Sequence, residues 1–161
     1  MRRSIKTTLF LAALLAALPA AAIEPGQAEG TLTINSTTVN LAYCYALGNQ
    51  RNETTGRTDD IKLVLSDHPL PAGMDMTGIE YAFPAGTIGV VVIFEANRQP
   101  VRVFIQHGVG TFESSDFKSG IFKLRPRITR DGEMDGRIES KPITAATMFL
   151  QFGANFRAAI R

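Results

Sequence analysis

The sequence predicts an all-β fold, a single-domain antiparallel β-barrel or β-sandwich of eight to nine strands. Hydrophobic residues recur at every second position through most of the chain, which is the period of strands with one buried face. The polar breaks between these runs are mostly short and rich in Gly, Asn and Asp, as in hairpin turns. No amphipathic helical pattern follows residue 22, so strands must supply the layers around the core.

Two strands open the predicted domain. Leu32 and Ile34 alternate with polar residues, and a turn at 35–37 leads into a long strand that ends near Leu47. The residues expected on one face of this second strand are Val39, Leu41, Tyr43, Tyr45 and Leu47, and those expected on the other are Asn40, Ala42, Cys44 and Ala46. Residues 23–29 precede both strands and are expected to form a flexible leader.

The middle of the chain combines a loop, two strands and a long segment without periodicity. Residues 48–58 are polar and predict an exposed loop, and 61–65 predict a third strand. Residues 67–86 are rich in Pro and Gly but also apolar, which predicts a packed irregular or short helical segment near 68–83. Because residues 88–94 are apolar on both faces, that strand must be covered on both sides, and this segment is the expected cover.

The second half of the chain contains the remaining predicted strands. They lie at 101–105, 111–113, 121–128, 134–140 and 148–160. Pro126 interrupts the third of these runs. Since proline has no N–H to donate to a neighbouring strand, we expect that strand to lie at a sheet edge or to contain a bulge. Asp131-Gly132 predicts a tight turn directly after it.

Residues 1–22 have the three-part layout of a bacterial secretory signal peptide, with a basic start, a short apolar run and a final group of alanines. We expect cleavage near Ala22, with Ala28 as the alternative position, and a periplasmic or secreted domain over 30–161. The apolar run is too short for a membrane anchor. The Arg2-Arg3 pair leaves both the general secretory and the twin-arginine routes open.

Charge and cysteine content narrow the partners of the exported domain. The chain has a net charge of +2, but residues 1–22 hold three of its 17 basic residues and none of its 15 acidic ones. The processed chain is therefore nearly neutral, which argues against nucleic acid or an anionic membrane as its partner. Cys44 is the single cysteine and lies in a strand-like run, which favours a buried, unreactive thiol; a reactive or dimerising thiol is the alternative.

No catalytic, metal-binding or cofactor-binding set stands out. Ser66, Asp67 and His68 are the residue types of a hydrolase triad, but consecutive strand residues point to opposite faces and do not converge. His68 and His107 are the two histidines, and neither has a second ligand at metal-binding spacing. The Gly-x-Gly at 108–110 follows no strand-to-helix pattern, so it predicts no dinucleotide site. The residues therefore favour a non-enzymatic protein.

One stripe of cations is a candidate ligand-binding surface. Strand alternation brings Lys123, Arg125 and Arg127 to one face within about 14 Å, where they would contact an anionic ligand, a polysaccharide or an acidic partner. The alternative is a solvated strand edge whose charge prevents aggregation. The carboxylates expected to neutralise the stripe are Glu113, Asp131, Glu133 and Asp135.

The irregular segment carries a second, apolar candidate. Met74, Met76, Tyr81 and Phe83 would suit an adaptable lid over a small hydrophobic ligand. The alternative is that they fill the core above the strand at 88–94.

The chain also resembles a loose family of small exported bacterial β-proteins of unknown function. The resemblance is carried by the opening hairpin at 30–35, the runs 39–41 and 43–46, the strand end LSDHPLP within 64–71, and the closing Phe-x-x-x-Ile of 156–160. Asn35-Ser36 departs from the glycine turn of that family. Because the family has no assigned activity, the resemblance implies a fold and an export route but no functional residue.

These observations leave three functions to distinguish. The first is an exported, non-enzymatic β-domain that binds a small ligand or an envelope partner. The second is a small outer-membrane β-barrel, to which the alternating strands and the signal peptide are suited, although the chain has no Trp and only three Tyr for the interfacial girdles. The third is an enzyme with an unrecognised site.

Overall fold

Ten β-strands and no helix make up the described part of the chain in the computed structural model, which covers residues 23–24, 26–52, 55–108, 110–129, 131–145 and 147–161. The strands are β1 Gln27–Ile34, β2 Thr37–Gln50, β3 Asp60–Ser66, β4 Gly89–Phe94, β5 Pro100–His107, β6 Gly110–Ser114, β7 Phe122–Ile128, β8 Glu133–Ser140, β9 Ile143–Ala145 and β10 Met148–Ala159. The predicted signal peptide, its cleavage site and Val109 lie outside these residues. Nothing in the described ranges is a helix long and apolar enough to cross a membrane.

The strands form one sheet that curls into a half-barrel, in the order β6-β5-β4-β3-β2-β1-β10-β8-β7 with β9 paired to β10. All named strand pairs are antiparallel, and the first and last strands pair with each other, since β1 lies between β2 and β10. The all-β prediction is confirmed. The sheet has one strand more than expected, since the three-residue β9 was not predicted.

The start of the domain differs from the prediction. The leader expected over 23–29 is shorter, because β1 begins at Gln27 and pairs there with Arg157 of β10. Gly26 already donates its N–H to the carbonyl oxygen of Arg157 over 2.7 Å, so the chain is attached to the sheet one residue earlier.

The concave face of the sheet holds the main core. Its largest fully buried side chains include Leu32, Leu63, Phe94, Ile105 and Phe156, which come from strands across the whole sheet. Alternation along each strand directs these residues inward and their polar neighbours outward, as the two-residue period predicts.

A smaller core lies on the outer face of β3, β4 and β5, under the irregular segment of residues 67–88. Val64, Val91 and Phe104 of the sheet pack there against Leu70 and Ile79 of the segment. Their burial confirms that the segment covers the apolar strand β4, and within the described residues it contains turns but no helix. Gly89 is required at the contact, because a Cβ there would lie 2.6 Å from the Phe83 ring.

The predicted faces of β2 are wrong beyond residue 42. Leu41 and Cys44 both lie in the concave core, although they are three residues apart, while Tyr45 packs against the outer cluster. The pairing of β1 with β2 is irregular between Gln27 and Gly30, which shifts the alternation of β2 by one residue. An irregularity of this kind leaves no signal in the two-residue period.

Cys44 lies beside this irregularity, and its burial is confirmed. Its Sγ lies 2.9 Å from the carbonyl oxygen of Gln27 and 2.8 Å from that of Arg157, so the thiol bridges β1 and β10 as a donor. Burial raises the pKa of Cys44 to about 11, although the backbone hydrogen bonds lower it. The reactive thiolate is therefore disfavoured at neutral pH.

Candidate functional site

A pocket of about 280 Å³ opens on the outer face of the sheet, beside the irregular segment, and we call it the Asp60 pocket. Its charged and aromatic lining residues include Asp60, Lys62, Glu80, Tyr81, Glu95 and Arg102. Lys62 pairs with Ile93 and Ile93 with Arg102, so these three side chains form one row across β3, β4 and β5. Glu80 and Tyr81 come from the segment that covers the sheet.

A buried ion pair forms the floor of the pocket. Lys62 Nζ donates to Glu80 Oε2 over 2.6 Å, and the two side chains are only 5% and 11% exposed. Removing two charges from water is unfavourable, and their attraction compensates for it only where the geometry is good. The pair therefore ties the irregular segment to β3 in one position.

Further hydrogen bonds hold this segment in place. Gln106 Nε2 of β5 donates to the carbonyl oxygen of Glu80 over 2.8 Å, and the Tyr45 hydroxyl accepts from the Leu70 N–H over 2.9 Å. Both bonds run from the sheet to the segment, at separate points along it. The wall of the pocket is therefore anchored independently of the ion pair.

Asp60 is a buried carboxylate at the start of β3, with only 3% of its surface exposed. Asn52 Nδ2 donates to its Oδ2 over 3.0 Å. Burial raises the pKa of Asp60 above its ordinary value; the bond from Asn52 opposes this rise, while the neighbouring carboxylates Asp59 and Glu95 add to it. The charge of Arg57 lowers the pKa of Asp60, but it does not offset the effect of burial.

Two of the cations that line the pocket form ion pairs with other groups. Lys62 forms its ion pair with Glu80, and Arg102 Nε lies 3.7 Å from Glu113 Oε1 on the neighbouring strand. Among the described residues, no cation forms an ion pair with Asp60 or Glu95. Asp60 and Glu95 are therefore the pocket carboxylates without an ion-pair partner in the described chain, and the exposed Arg51 also lines the pocket.

Tyr81 supplies an aromatic ring at the pocket and is 56% exposed, unlike the other large hydrophobic residues of the described chain. Its ring stands edge-on to Phe104 at 5.6 Å between centroids, with 75° between the planes, which fixes its orientation. Met74, Met76 and Phe83 instead pack against the outer core. The core-filling interpretation is therefore confirmed for three of the four predicted lid residues.

The predicted cation stripe lies elsewhere, on β7. Lys123, Arg125 and Arg127 are exposed and alternate with half-buried residues, as expected. β7 lies at the edge of the sheet, which confirms the inference from Pro126. Because β7 and the pocket strands β3 to β5 belong to opposite ends of the sheet order, the stripe is not part of the Asp60 pocket.

Two of these cations are ion-paired to β8. Lys123 Nζ lies 3.7 Å from Glu139 Oε1, and Arg127 Nε donates to Asp135 Oδ1 over 2.8 Å. Of the carboxylates expected to neutralise the stripe, only Asp135 forms such a pair in the described chain. Those at 113 and 133 pair with the arginines at 102 and 157.

The triad-like residues have structural partners. Ser66 Oγ donates to the carbonyl oxygen of His68 over 2.7 Å, while Asp67 Oδ1 accepts from the Ile88 N–H over 2.8 Å. The second bond joins the two ends of the irregular segment. His107 is buried in β5, and burial lowers its pKa. Within the described ranges, no three His, Cys, Asp or Glu side chains are grouped to hold a metal ion.

Asp60, Lys62 and Glu80 are not among the site residues that the sequence predicted. A signal was present, since Lys62 shares a strand face with the apolar Val64, which the structure buries under the irregular segment. A lysine on a covered face requires a carboxylate partner. Glu80 lies in the covering segment, but its position opposite Lys62 depends on how an irregular chain folds.

The chain matches no protein-family model, no curated protein and no solved structure. The chemistry of the site is therefore argued from its own geometry.

Proposed function

We propose that this chain is an exported, non-enzymatic β-domain that binds a small organic cation, such as an ammonium or guanidinium compound, in the Asp60 pocket. The observation that carries the proposal is the buried carboxylate of Asp60, which lies next to Glu95 and forms no ion pair with a cation of the described residues. The predicted signal peptide supports a periplasmic or secreted location.

Charge decides the ligand class. A buried carboxylate whose pKa is raised by burial and by like charges is stabilised by any ligand that brings a positive charge or a hydrogen-bond donor. A protonated amine or a guanidinium supplies both, and a quaternary ammonium ion supplies the positive charge. Because Lys62 is held by Glu80, it does not neutralise Asp60 in place of a ligand.

The aromatic ring and the size of the pocket support the same class. An exposed tyrosine beside carboxylates attracts an organic cation through its ring face as well as through apolar contact. A volume of about 280 Å³ lies near the lower end of small-molecule pockets, which suits a compact ligand rather than a lipid.

The alternatives are less well supported. In the described residues the concave face is apolar and the outer face carries charges such as Arg125 and Arg137. A transmembrane barrel places its apolar side chains outward, toward lipid. An envelope protein stays an alternative occupant, because a lysine or arginine side chain presents the same cationic group. An enzyme also stays an alternative, because a carboxylate whose pKa is raised by burial is a candidate general base.

Isothermal titration calorimetry at pH 8 and low salt tests the proposal with matched probes. Choline, tetramethylammonium and methylguanidinium carry the charge, and 3,3-dimethyl-1-butanol is the neutral counterpart of choline. We expect binding of at least one cation and none of the neutral compound. Asp60→Asn should weaken binding about tenfold or more, because a charged hydrogen bond is worth roughly 1.5–3 kcal/mol.

Asp131→Asn is the control, since it removes the same charge from an exposed turn away from the pocket. It should bind like the unmodified protein. The proposal is wrong if no cation binds, if the neutral compound binds equally well, or if both variants lose the same affinity.

A further inference from the structure

We infer that the exposed face of β7 and β8 contains a second binding site, for a phosphate- or sulfate-type oxyanion, at the cross-strand pair Arg125 and Arg137. This site is independent of the Asp60 pocket. Of the three cations in the predicted stripe, Arg125 is the one without a carboxylate partner in the described chain. Arg137 of the neighbouring strand completes the site.

The register of the two strands produces this arrangement. Three outward-facing pairs follow one another along β7 and β8: Lys123 opposite Glu139, Arg125 opposite Arg137, and Arg127 opposite Asp135. The first and third pairs combine opposite charges. The central pair places two arginines directly opposite each other, and like charges in that arrangement destabilise a sheet. An anion bound between them would relieve that repulsion.

The neighbouring carboxylates are already engaged. Glu139 accepts from Arg137 Nε over 3.0 Å and also lies 3.7 Å from Lys123 Nζ. The hydrogen bond from Arg137, with the charges of both cations, lowers the pKa of Glu139, so it stays ionised and occupied. Asp135 is bound to Arg127. Arg125 forms no ion pair with any described residue, and its guanidinium is available to a ligand.

The surface around the pair is recessed. Arg125 and Arg137 line both of two depressions, one of about 180 Å³ next to Lys123 and one of about 610 Å³ that reaches Arg157. Asn155 Oδ1 accepts from Arg137 Nη1 over 3.3 Å and helps to orient this guanidinium.

The backbone brings the pair close together. Gly136 precedes Arg137 and has φ of 153°, and a Cβ there would clash with the Arg125 carbonyl oxygen and lie 3.0 Å from Pro126 Cα. The absence of a side chain at 136 lets the two strands approach at the point where the arginines face each other.

Two adjacent guanidinium groups favour a tetrahedral oxyanion. Each arginine donates through a planar fork, and two forks together bind several oxygens of one phosphate or sulfate group. The site is exposed and therefore screened by salt, so we expect millimolar affinity that falls as ionic strength rises. A free ion and a lipid headgroup present the same chemistry, and the experiment separates them.

The test is an NMR titration of the arginine Nε–Hε signals with inorganic phosphate at low ionic strength. We expect the signals of Arg125 and Arg137 to shift together and to saturate. Arg125→Gln should abolish the shift at Arg137. Lys123→Gln removes an equal charge from the same strand and should retain it, and Arg125→Lys should weaken binding severalfold because the fork is lost.

Co-sedimentation with vesicles forms the second arm, using phosphatidylcholine alone or with phosphatidylglycerol. Loss of sedimentation in Arg125→Gln but not in Lys123→Gln would identify a lipid phosphate as ligand, and phosphate binding without sedimentation would identify a free anion. If neither probe binds, or if the two glutamine variants lose binding equally, the site is only diffuse surface charge and the inference is wrong. Neither outcome affects binding of cations at Asp60.

Discussion

The Asp60 pocket and the β7–β8 face are built from the same residue types but differ in their exposure to water. In the pocket, Lys62 and Glu80 meet at 2.6 Å with almost no exposed surface. On β7 and β8, Arg127 and Asp135 meet at 2.8 Å while the arginine side chain is 79% exposed. Breaking an ion pair of similar length is therefore expected to destabilise the protein strongly in one region and hardly at all in the other.

The difference arises from what covers each face. The irregular segment lies over β3, β4 and β5, so every charge beneath it needs a partner or a ligand. β7 is an uncovered edge strand, where water and salt screen a surplus of cations. A charge without an ion-pair partner is therefore stronger evidence for a ligand at Asp60 than at Arg125.

The largest expected effect comes from breaking the buried pair. Glu80→Ala leaves Lys62 charged and unpartnered beneath the segment, and we expect a loss of about 3–5 kcal/mol in the free energy of unfolding. Urea unfolding followed by circular dichroism measures it. Asp135→Ala is the exposed counterpart and should cost less than about 1 kcal/mol.

Replacing both members of the pair sharpens this comparison. Lys62→Met combined with Glu80→Leu keeps the volume and removes both charges, so it should restore most of the stability lost in Glu80→Ala. Equal losses in Glu80→Ala and Asp135→Ala would contradict the contrast between the two regions.

A smaller, pH-dependent effect is expected at Asp60. Because its pKa is raised in the folded protein, protonation favours folding. The stabilisation is complete below the pKa of the unfolded chain and is lost as the pH rises through the folded pKa. Asp60→Asn resembles the protonated form, so it should unfold less readily than the unmodified protein at pH 8, by on the order of 1 kcal/mol. Thermal unfolding measured between pH 3 and pH 8 should show that the stability difference between the variant and the unmodified protein disappears at the acid end.

This variant links stability to binding, since the same change is expected to weaken cation binding. A functional carboxylate that lowers stability is a common compromise at binding sites. An Asp60→Asn protein that is less stable than the unmodified one at every pH would instead assign Asp60 a structural role.

The smallest effect concerns the exposed pair. A double-mutant cycle with Arg127→Ala and Asp135→Ala should give a coupling free energy of about 0.2–1 kcal/mol. It should fade in 1 M NaCl, where screening acts over roughly 3 Å. A coupling that persists at high salt would mean that the β7–β8 face is shielded from water by a partner or a second copy of the chain.

The local features of this protein could be predicted from its sequence alone. The two-residue period predicted the strands, the outward cations of β7 and the cover over β4, and Pro126 predicted an edge strand. These features depend on neighbouring residues along one strand, where the geometry of an extended chain determines which side each residue faces.

Which of these faces contact each other depends on the tertiary structure. The shifted alternation of β2, the contact of Lys62 with Glu80 and the position of Arg125 opposite Arg137 each depend on register or on the path of an irregular segment. Register is set by strand pairing and by irregularities across the whole sheet. A shift of one residue in the register changes which side chains lie opposite each other along the whole strand. Both proposed sites arise from such long-range pairings, because the charge balance of a site depends on residues that the chain brings together from distant positions.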